Sequence, residues 1–150
     1  MSWVYEAKKA SSALGARGEL MAYLRPRVTS SSDLDAAIAI FAELVGNVIR
    51  HAPGPIEATV SWEGYKAVLS VADCGTGFTL PTRFELPAED SEDGRGLYIV
   101  SALAEELWDE RPHQPYRHQI NALLPVRKRS ACESESFAYR NSTRSAFRSK

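Results

Sequence analysis

One long amphipathic segment, residues 33–52, constrains the fold more than any other feature of this chain. Its apolar residues recur every three or four positions, as on a helix that packs one side against a core. Ser31, Ser32 and Asp33 offer N-caps, Ser32 with Asp35 resembles a capping box, and Pro53 ends the segment. The predicted core stripe consists of Leu34, Ile38, Phe41, Val45, Val48 and Ala52.

The opposite side of this helix has an unusual composition for a surface. It carries Glu43, Asn47 and Arg50. The other residues on that side are small or apolar: Ala36, Ala39, Ile40 and Gly46. A solvated side usually carries more charge, and a glycine within a helix costs about 1 kcal/mol relative to alanine. This side is therefore either a plain solvated surface or the wall of a binding site, and its composition favours the binding site.

Shorter patterns predict the remaining elements. Apolar and polar residues alternate over 56–62, and the chain turns at 63–65 and returns as a second strand. The predicted strands are 3–7, 56–62, 67–72 and 116–125; the predicted helices are 11–24, 33–52 and 97–108; and residues 79–93 form a loop. Strands in hairpins with helices between them predict an α+β fold. We expect a two-layer sandwich in which helices cover a mixed, mostly antiparallel sheet.

Length and charge predict one domain followed by a tail. The chain has 150 residues, enough for a single core. Residues 127–150 contain seven basic and two acidic residues, a net charge of +5, and few aliphatic ones. We therefore predict a folded domain over 1–126 and a disordered tail over 127–150. The tail could contact nucleic acid or an acidic partner, but a plain solvated extension is favoured.

Composition also limits the setting and the partners. The net charge of −1 gives no reason to expect direct nucleic-acid binding. Two cysteines, Cys74 and Cys132, form neither a disulfide framework nor a zinc pattern. The N-terminus has no signal-peptide core, and no apolar run is long enough to span a membrane. These observations predict a cytoplasmic protein without a membrane partner.

Two glycine pairs follow the polar helix along the chain. Gly75 and Gly77 come after Asp73, just past a predicted strand, and Gly94 and Gly96 precede the last predicted helix. Glycine allows a backbone to approach a ligand closely, and a helix N-terminus attracts phosphate. The Asp73 carboxylate could accept a hydrogen bond from a purine amino group. Neither a P-loop nor a dinucleotide fingerprint is present.

Three motifs, in this order, resemble the GHKL superfamily of ATP-binding domains. They are E-x-x-x-N-x-x-x-H-A over 43–52, D-x-G-x-G-F over 73–78 and G-x-G-L-x-I-V over 94–100. The superfamily includes DNA gyrase B, heat-shock chaperones, MutL and the histidine kinases. The resemblance implies the Bergerat fold, in which helices cover a mixed sheet, with ATP and Mg²⁺ as cofactors.

The resemblance also implies roles for single residues. Glu43 falls at the position of the general base, Asn47 at that of the Mg²⁺ ligand, and Asp73 at that of the adenine-binding carboxylate. The implied ATP-binding positions are Asn47, Asp73, Gly75, Gly77, Gly94, Arg95, Gly96 and Leu97. Arg95 could contact phosphate, a partner or only solvent, and the role of Arg50 stays open.

The absence of certain segments narrows the comparison within the superfamily. The residues before the polar helix contain no His, and the chain ends before any transducer domain. A stand-alone domain with a short lid, here the predicted loop over 79–93, resembles the anti-sigma-factor serine/threonine kinases of partner-switching systems. That implies phosphorylation of a STAS-domain anti-anti-sigma protein, binding of a sigma factor, and a homodimer. The alternatives are a non-catalytic ATP-gated binding module and a detached catalytic domain that acts on a separate phosphoacceptor protein.

Overall fold

Helices cover one face of a five-stranded sheet, as the α+β prediction requires. The computed structural model describes residues 1–6, 10–52, 54–77, 80–81, 83–85 and 95–130. The elements are β1 (Ser2–Glu6), α1 (Ala10–Leu24), α2 (Leu34–His51), β2 (Pro55–Glu63), β3 (Lys66–Asp73), α3 (Arg95–Leu103), β4 (Glu106–Glu110) and β5 (His118–Arg127). The strand order is β1-β2-β3-β5-β4, and each of these described pairings is antiparallel. The two-layer sandwich is confirmed.

The central helix α2 begins and ends within a residue of its predicted bounds. Asp33 is the N-cap, because the amide N–H of Ala36 donates to its Oδ1 over 2.9 Å. The predicted capping box is wrong at its first position. The Ser32 hydroxyl accepts a hydrogen bond from the Arg127 amide instead, over 2.9 Å. That contact ties the start of α2 to the end of β5.

The buried surface of α2 is wider than the predicted stripe. Ile40 is fully buried and Ala36 is nearly so, although the sequence pattern placed both on the polar side. The reason is tertiary, since α2 contacts α1 and α3 as well as three strands of the sheet. Only part of the polar side therefore remains available to line a site.

The predicted helix over 97–108 is wrong in its second half. Helix α3 ends at Leu103, and residues 106–110 form β4 at the edge of the sheet, antiparallel to β5. Leu103 and Leu107 keep a helical spacing, which explains the error. The open edge of β5 provides backbone partners for this segment, and that pairing outweighs local propensity. Leu107 packs against the core from the strand instead.

The folded region extends beyond the predicted boundary at residue 126. Strand β5 continues through Arg127, whose carbonyl accepts from the Thr29 amide over 2.9 Å. The Arg129 amide donates to the Arg27 carbonyl over 2.8 Å. Residues 131–150 lie outside the described residues, so the disordered tail stays a prediction. Among the described helices, none combines the length and apolar character needed to cross a membrane.

Candidate nucleotide-binding site

Three segments that are distant in sequence meet at one end of the molecule. They are the second half of α2, the turn that follows β3, and the first turn of α3. Helices α2 and α3 pack against each other, which brings the polar side of α2 towards the start of α3. These segments carry most of the site residues predicted from the sequence.

The start of α3 lies directly against the Glu43 carboxylate. A Cβ on Gly96 would lie 2.7 Å from Glu43 Oε2 and 3.9 Å from Arg50 Nη2. Real Cβ atoms essentially never approach an oxygen so closely, so a side chain at position 96 would displace the carboxylate. A carboxylate and a guanidinium thus flank the N-terminus of a helix.

The Arg50 side chain lies beside the glycine within α2. Its Nη1 atom lies 3.6 Å from the position that a Cβ on Gly46 would take, an ordinary van der Waals distance. The group that approaches Gly46 is therefore the chain's own arginine. Arg50, whose role the sequence left open, is placed beside both Gly46 and Gly96.

Asp73 is a buried carboxylate at the end of β3. It is only 5% exposed, and its Oδ1 accepts a hydrogen bond from the Gly75 amide over 2.7 Å. A Cβ on Gly75 would lie 2.9 Å from that same oxygen and 3.0 Å from the Cβ of Ala52. Gly75 therefore lets the turn close onto both the carboxylate and the end of α2.

Gly77 completes this turn against His118, the first residue of β5. Gly77 has a φ of +71°, which favours glycine. A Cβ there would also lie 3.0 to 3.2 Å from three atoms of the His118 side chain. Nδ1 of His118 is 3.6 Å from Asp73 Oδ2. Sequence reasoning treated His118 only as a strand residue, because its pairing with Asp73 depends on the sheet register.

The outer border of this turn contains Cys74 and Tyr116. The Cys74 thiol lies 3.8 Å from the Pro115 carbonyl oxygen. Burial raises the pKa of the Tyr116 phenol above its ordinary value of 10.0, and negative charge on Glu57 and then Cys74 raises this pKa further. The phenol is therefore neutral at physiological pH and can donate a hydrogen bond.

The other predicted residues have less defined surroundings. Asn47 is half-buried on α2, one turn beyond Glu43, and Leu97 packs partly buried against the core. Arg95 is exposed at the first position of α3, and Gly94 lies outside the described residues. Over the part of the chain that the structure describes, no group of three or more His, Cys, Asp or Glu side chains could hold a metal. A cation here would need oxygen atoms of the nucleotide in addition to Asn47.

Helices cover an antiparallel sheet in this protein. The helix that carries Glu43 and Asn47 lies against the turn after the buried Asp73 and against the start of α3 at Gly96. This arrangement defines a GHKL-type domain. The model of the histidine kinase-like ATPase domain family matches residues 5–120. This match covers most of the chain, so the protein belongs to the histidine kinase-like ATPase domain family. Comparison with curated proteins found no match.

Two solved structures illustrate the similarity. The catalytic domain of the histidine kinase ThkA is 15% identical, with a TM-score of 0.46, over 83% of this chain and 97% of that one. The Acinetobacter baumannii histidine kinase AdeS is also 15% identical, with a TM-score of 0.43, over 84% of this chain and 68% of that one. The family assignment rests on the family model and not on these two structures.

Proposed function

We propose that this domain binds ATP with Mg²⁺ and transfers the γ-phosphoryl group to a Ser or Thr hydroxyl of a STAS-domain protein. One observation carries the proposal: the Glu43 carboxylate reaches the N-terminal turn of α3, 2.7 Å from where a Cβ on Gly96 would lie. A helix N-terminus is a natural phosphate site, and a carboxylate beside it is placed to act on the attacking group.

The transfer needs a base and charge neutralisation more than covalent chemistry. The acceptor hydroxyl oxygen would bond to the γ-phosphorus while the bond from that phosphorus to the β,γ-bridging oxygen breaks, and ADP leaves with the electron pair. Glu43 would accept the hydroxyl proton. The Arg50 guanidinium, within 4 Å of the Gly96 Cβ position, adds positive charge at the same place.

Different residues are the candidates for binding Mg²⁺ and for recognising adenine. Asn47 would hold Mg²⁺ through its side-chain oxygen, a donor that hard cations prefer. When bound, Mg²⁺ neutralises charge on the phosphate oxygens. Asp73 would accept a hydrogen bond from the adenine 6-amino group, since one of its oxygens already accepts from the Gly75 amide and the carboxylate retains other lone pairs.

The choice of acceptor rests on the resemblance to anti-sigma-factor kinases, and so do a sigma factor as second partner and a homodimer. Two alternatives make different predictions. An ATP-gated binding module would bind nucleotide without transferring phosphate. A detached catalytic domain would phosphorylate a separate phosphoacceptor protein and not a STAS domain.

Radiolabelled ATP and isothermal calorimetry test the proposal together. We expect the wild-type protein to label a STAS protein encoded near its gene. Glu43→Gln keeps the side-chain volume but removes the base, so transfer should fall by about 10²-fold or more while ATP affinity changes little. Asp35→Asn, an exposed position in the first turn of the same helix, is the matched control and should leave both unchanged.

Each of the other outcomes supports a different function or a different role for Glu43. ATP binding without transfer to any acceptor would identify a binding module. Labelling of a non-STAS protein would identify a detached catalytic domain. Wild-type transfer by Glu43→Gln would show that Glu43 is not the base.

A further inference from the structure

His118 lies against the carboxylate that is the candidate for adenine recognition. It is the antiparallel partner of Asp73 across β3 and β5, and side chains directly opposite each other project from the same face of a sheet. Its Nδ1 is 3.6 Å from Asp73 Oδ2, with the two side chains only 12% and 8% exposed. The proposed function gives His118 no role.

The two oxygens of Asp73 therefore face different partners. Oδ1 accepts from the Gly75 amide over 2.7 Å, and Oδ2 faces the imidazole. A carboxylate held at only one oxygen can rotate about its last torsion, whereas contacts at both oxygens define its plane. Each oxygen keeps a second lone pair that a ligand amino group can use.

The imidazole also supports the glycine turn. Three atoms of the His118 side chain lie 3.0 to 3.2 Å from the position of a Cβ on Gly77, so the imidazole packs directly against that residue. A single side chain thus contacts both the carboxylate and the far end of the turn. It therefore connects the two parts of the structure that would surround adenine.

We propose that His118 is a positioning residue for adenine recognition, holding Oδ2 of Asp73 through Nδ1–H so that the carboxylate presents a lone pair to the 6-amino group. This inference rests on the proposed function and specifies how the same site selects its base. The separation of 3.6 Å is longer than a hydrogen bond. We expect it to shorten when the amino group engages the carboxylate, as contacts in ligand-free sites commonly do.

Two substitutions separate the donor from the bulk of the side chain. His118→Asn keeps an N–H donor near the position of Nδ1, and His118→Leu keeps an apolar bulk without a donor. The two nucleotides are ATP and purine riboside 5′-triphosphate, which lacks the 6-amino group. Affinities are measured by calorimetry on the full chain with Mg²⁺, and melting temperatures confirm folding.

We expect the wild-type protein to prefer ATP over purine riboside triphosphate by about tenfold or more, as sites with a buried hydrogen-bonding group do. His118→Leu should lower this preference to less than about threefold, with an unchanged affinity for the purine nucleotide. His118→Asn should retain most of the preference. Asp73→Asn is the reference variant, in which the preference should also be lost.

The outcomes separate this inference from the proposed function. If the wild-type protein binds neither nucleotide, the proposed function fails and this inference fails with it. If it prefers ATP and a folded His118→Leu does so equally, only the role of His118 is overturned. Should His118→Leu not fold, ¹⁵N NMR of the wild-type imidazole decides: an Nδ1 shift with ATP alone supports the role, and equal shifts with both nucleotides overturn it.

Discussion

Three glycines in the candidate site are required by their neighbours, each in a different way. Gly75 leaves room for a carboxylate oxygen and the end of α2, Gly77 combines a positive φ with a tight contact to His118, and Gly96 leaves room for Glu43. Gly46 differs, because a Cβ there would meet only the end of Arg50 at 3.6 Å. Substitution by alanine is therefore expected to be harmful at Gly75, Gly77 and Gly96 but not at Gly46.

Gly77→Ala should destabilise the fold for two reasons. The φ of +71° is strained for alanine, and the new Cβ would lie 3.0 Å from His118 Cδ2. We expect a loss of about 2–3 kcal/mol in the free energy of unfolding, measured with urea. Gly64→Ala is the matched control, since its φ is +60° but nothing lies within 4 Å of its Cβ position. That variant should lose about 1 kcal/mol, and equal losses would mean that the His118 contact is relaxed at no cost.

Gly96→Ala should impair phosphate transfer more than stability. Its Cβ would displace the Glu43 carboxylate, a side-chain end that can move, so the cost falls on the geometry of the base. Transfer should fall by about 10²-fold. The control is Gly46→Ala, which should raise the free energy of unfolding by about 0.5–1 kcal/mol and leave transfer intact. A fully active Gly96→Ala variant would show that phosphate transfer does not depend on the position of the Glu43 carboxylate.

At the level of elements, α2 is the support for the site. It contacts α1, α3 and three strands, and it carries Glu43 and Asn47 in its second half. Its first turn is anchored by the Asp33 cap and by the backbone contact from the Asp33 amide to the Pro125 carbonyl, 2.9 Å. These contacts hold the N-terminal end of the helix that carries the catalytic candidates.

Removing the N-cap should measure this support. Asp33→Ala eliminates the hydrogen bond from the Ala36 amide and should cost about 1 kcal/mol of stability, followed by chemical denaturation. Asp35→Ala is the control in the same turn. It loses only a favourable interaction with the helix dipole, which the higher helix propensity of alanine offsets, so its change should stay within about 0.5 kcal/mol. Equal effects of the two substitutions would contradict the capping role.

On the scale of the whole molecule, the two ends of the sheet have different roles. The end formed by Asp73, its following turn and α3 carries the candidate site. The other end joins residues 27–29 to residues 127–129 through backbone hydrogen bonds. Strand β3 spans both ends, from Lys66, which pairs with Arg127, to Asp73, which pairs with His118.

Two truncations locate the end of the folded domain. A chain of residues 1–130 should keep the melting temperature and ATP affinity of the full protein. A chain of residues 1–126 loses the backbone contacts of Arg127, Lys128 and Arg129 and should be about 2–4 kcal/mol less stable. Calorimetric melting compares the two. Equal stability of the two truncated chains would place the boundary back at residue 126. A 1–130 chain that is less stable than the full protein would mean that the last twenty residues contribute to the fold.

The elements that depend on nearby residues could be predicted from the sequence. Helix α2, its Asp33 cap and the hairpin of β2 and β3 follow from periodicity, side-chain capping and turn residues, which act over only a few positions. The order of the three motifs also identified the superfamily. Periodicity, capping and turn formation involve only neighbouring residues, so they could be predicted without knowledge of the tertiary structure.

Tertiary structure decided the features that join distant residues. Glu106–Glu110 became a strand because β5 offered an open edge, and His118 acquired its candidate role because the register of β5 against β3 sets it beside Asp73. The contact of Gly96 with Glu43 likewise depends on how α3 packs on α2. These partners are 9 to 53 positions apart and lie on different elements, so only the packing of the whole sheet and its helices brings them together.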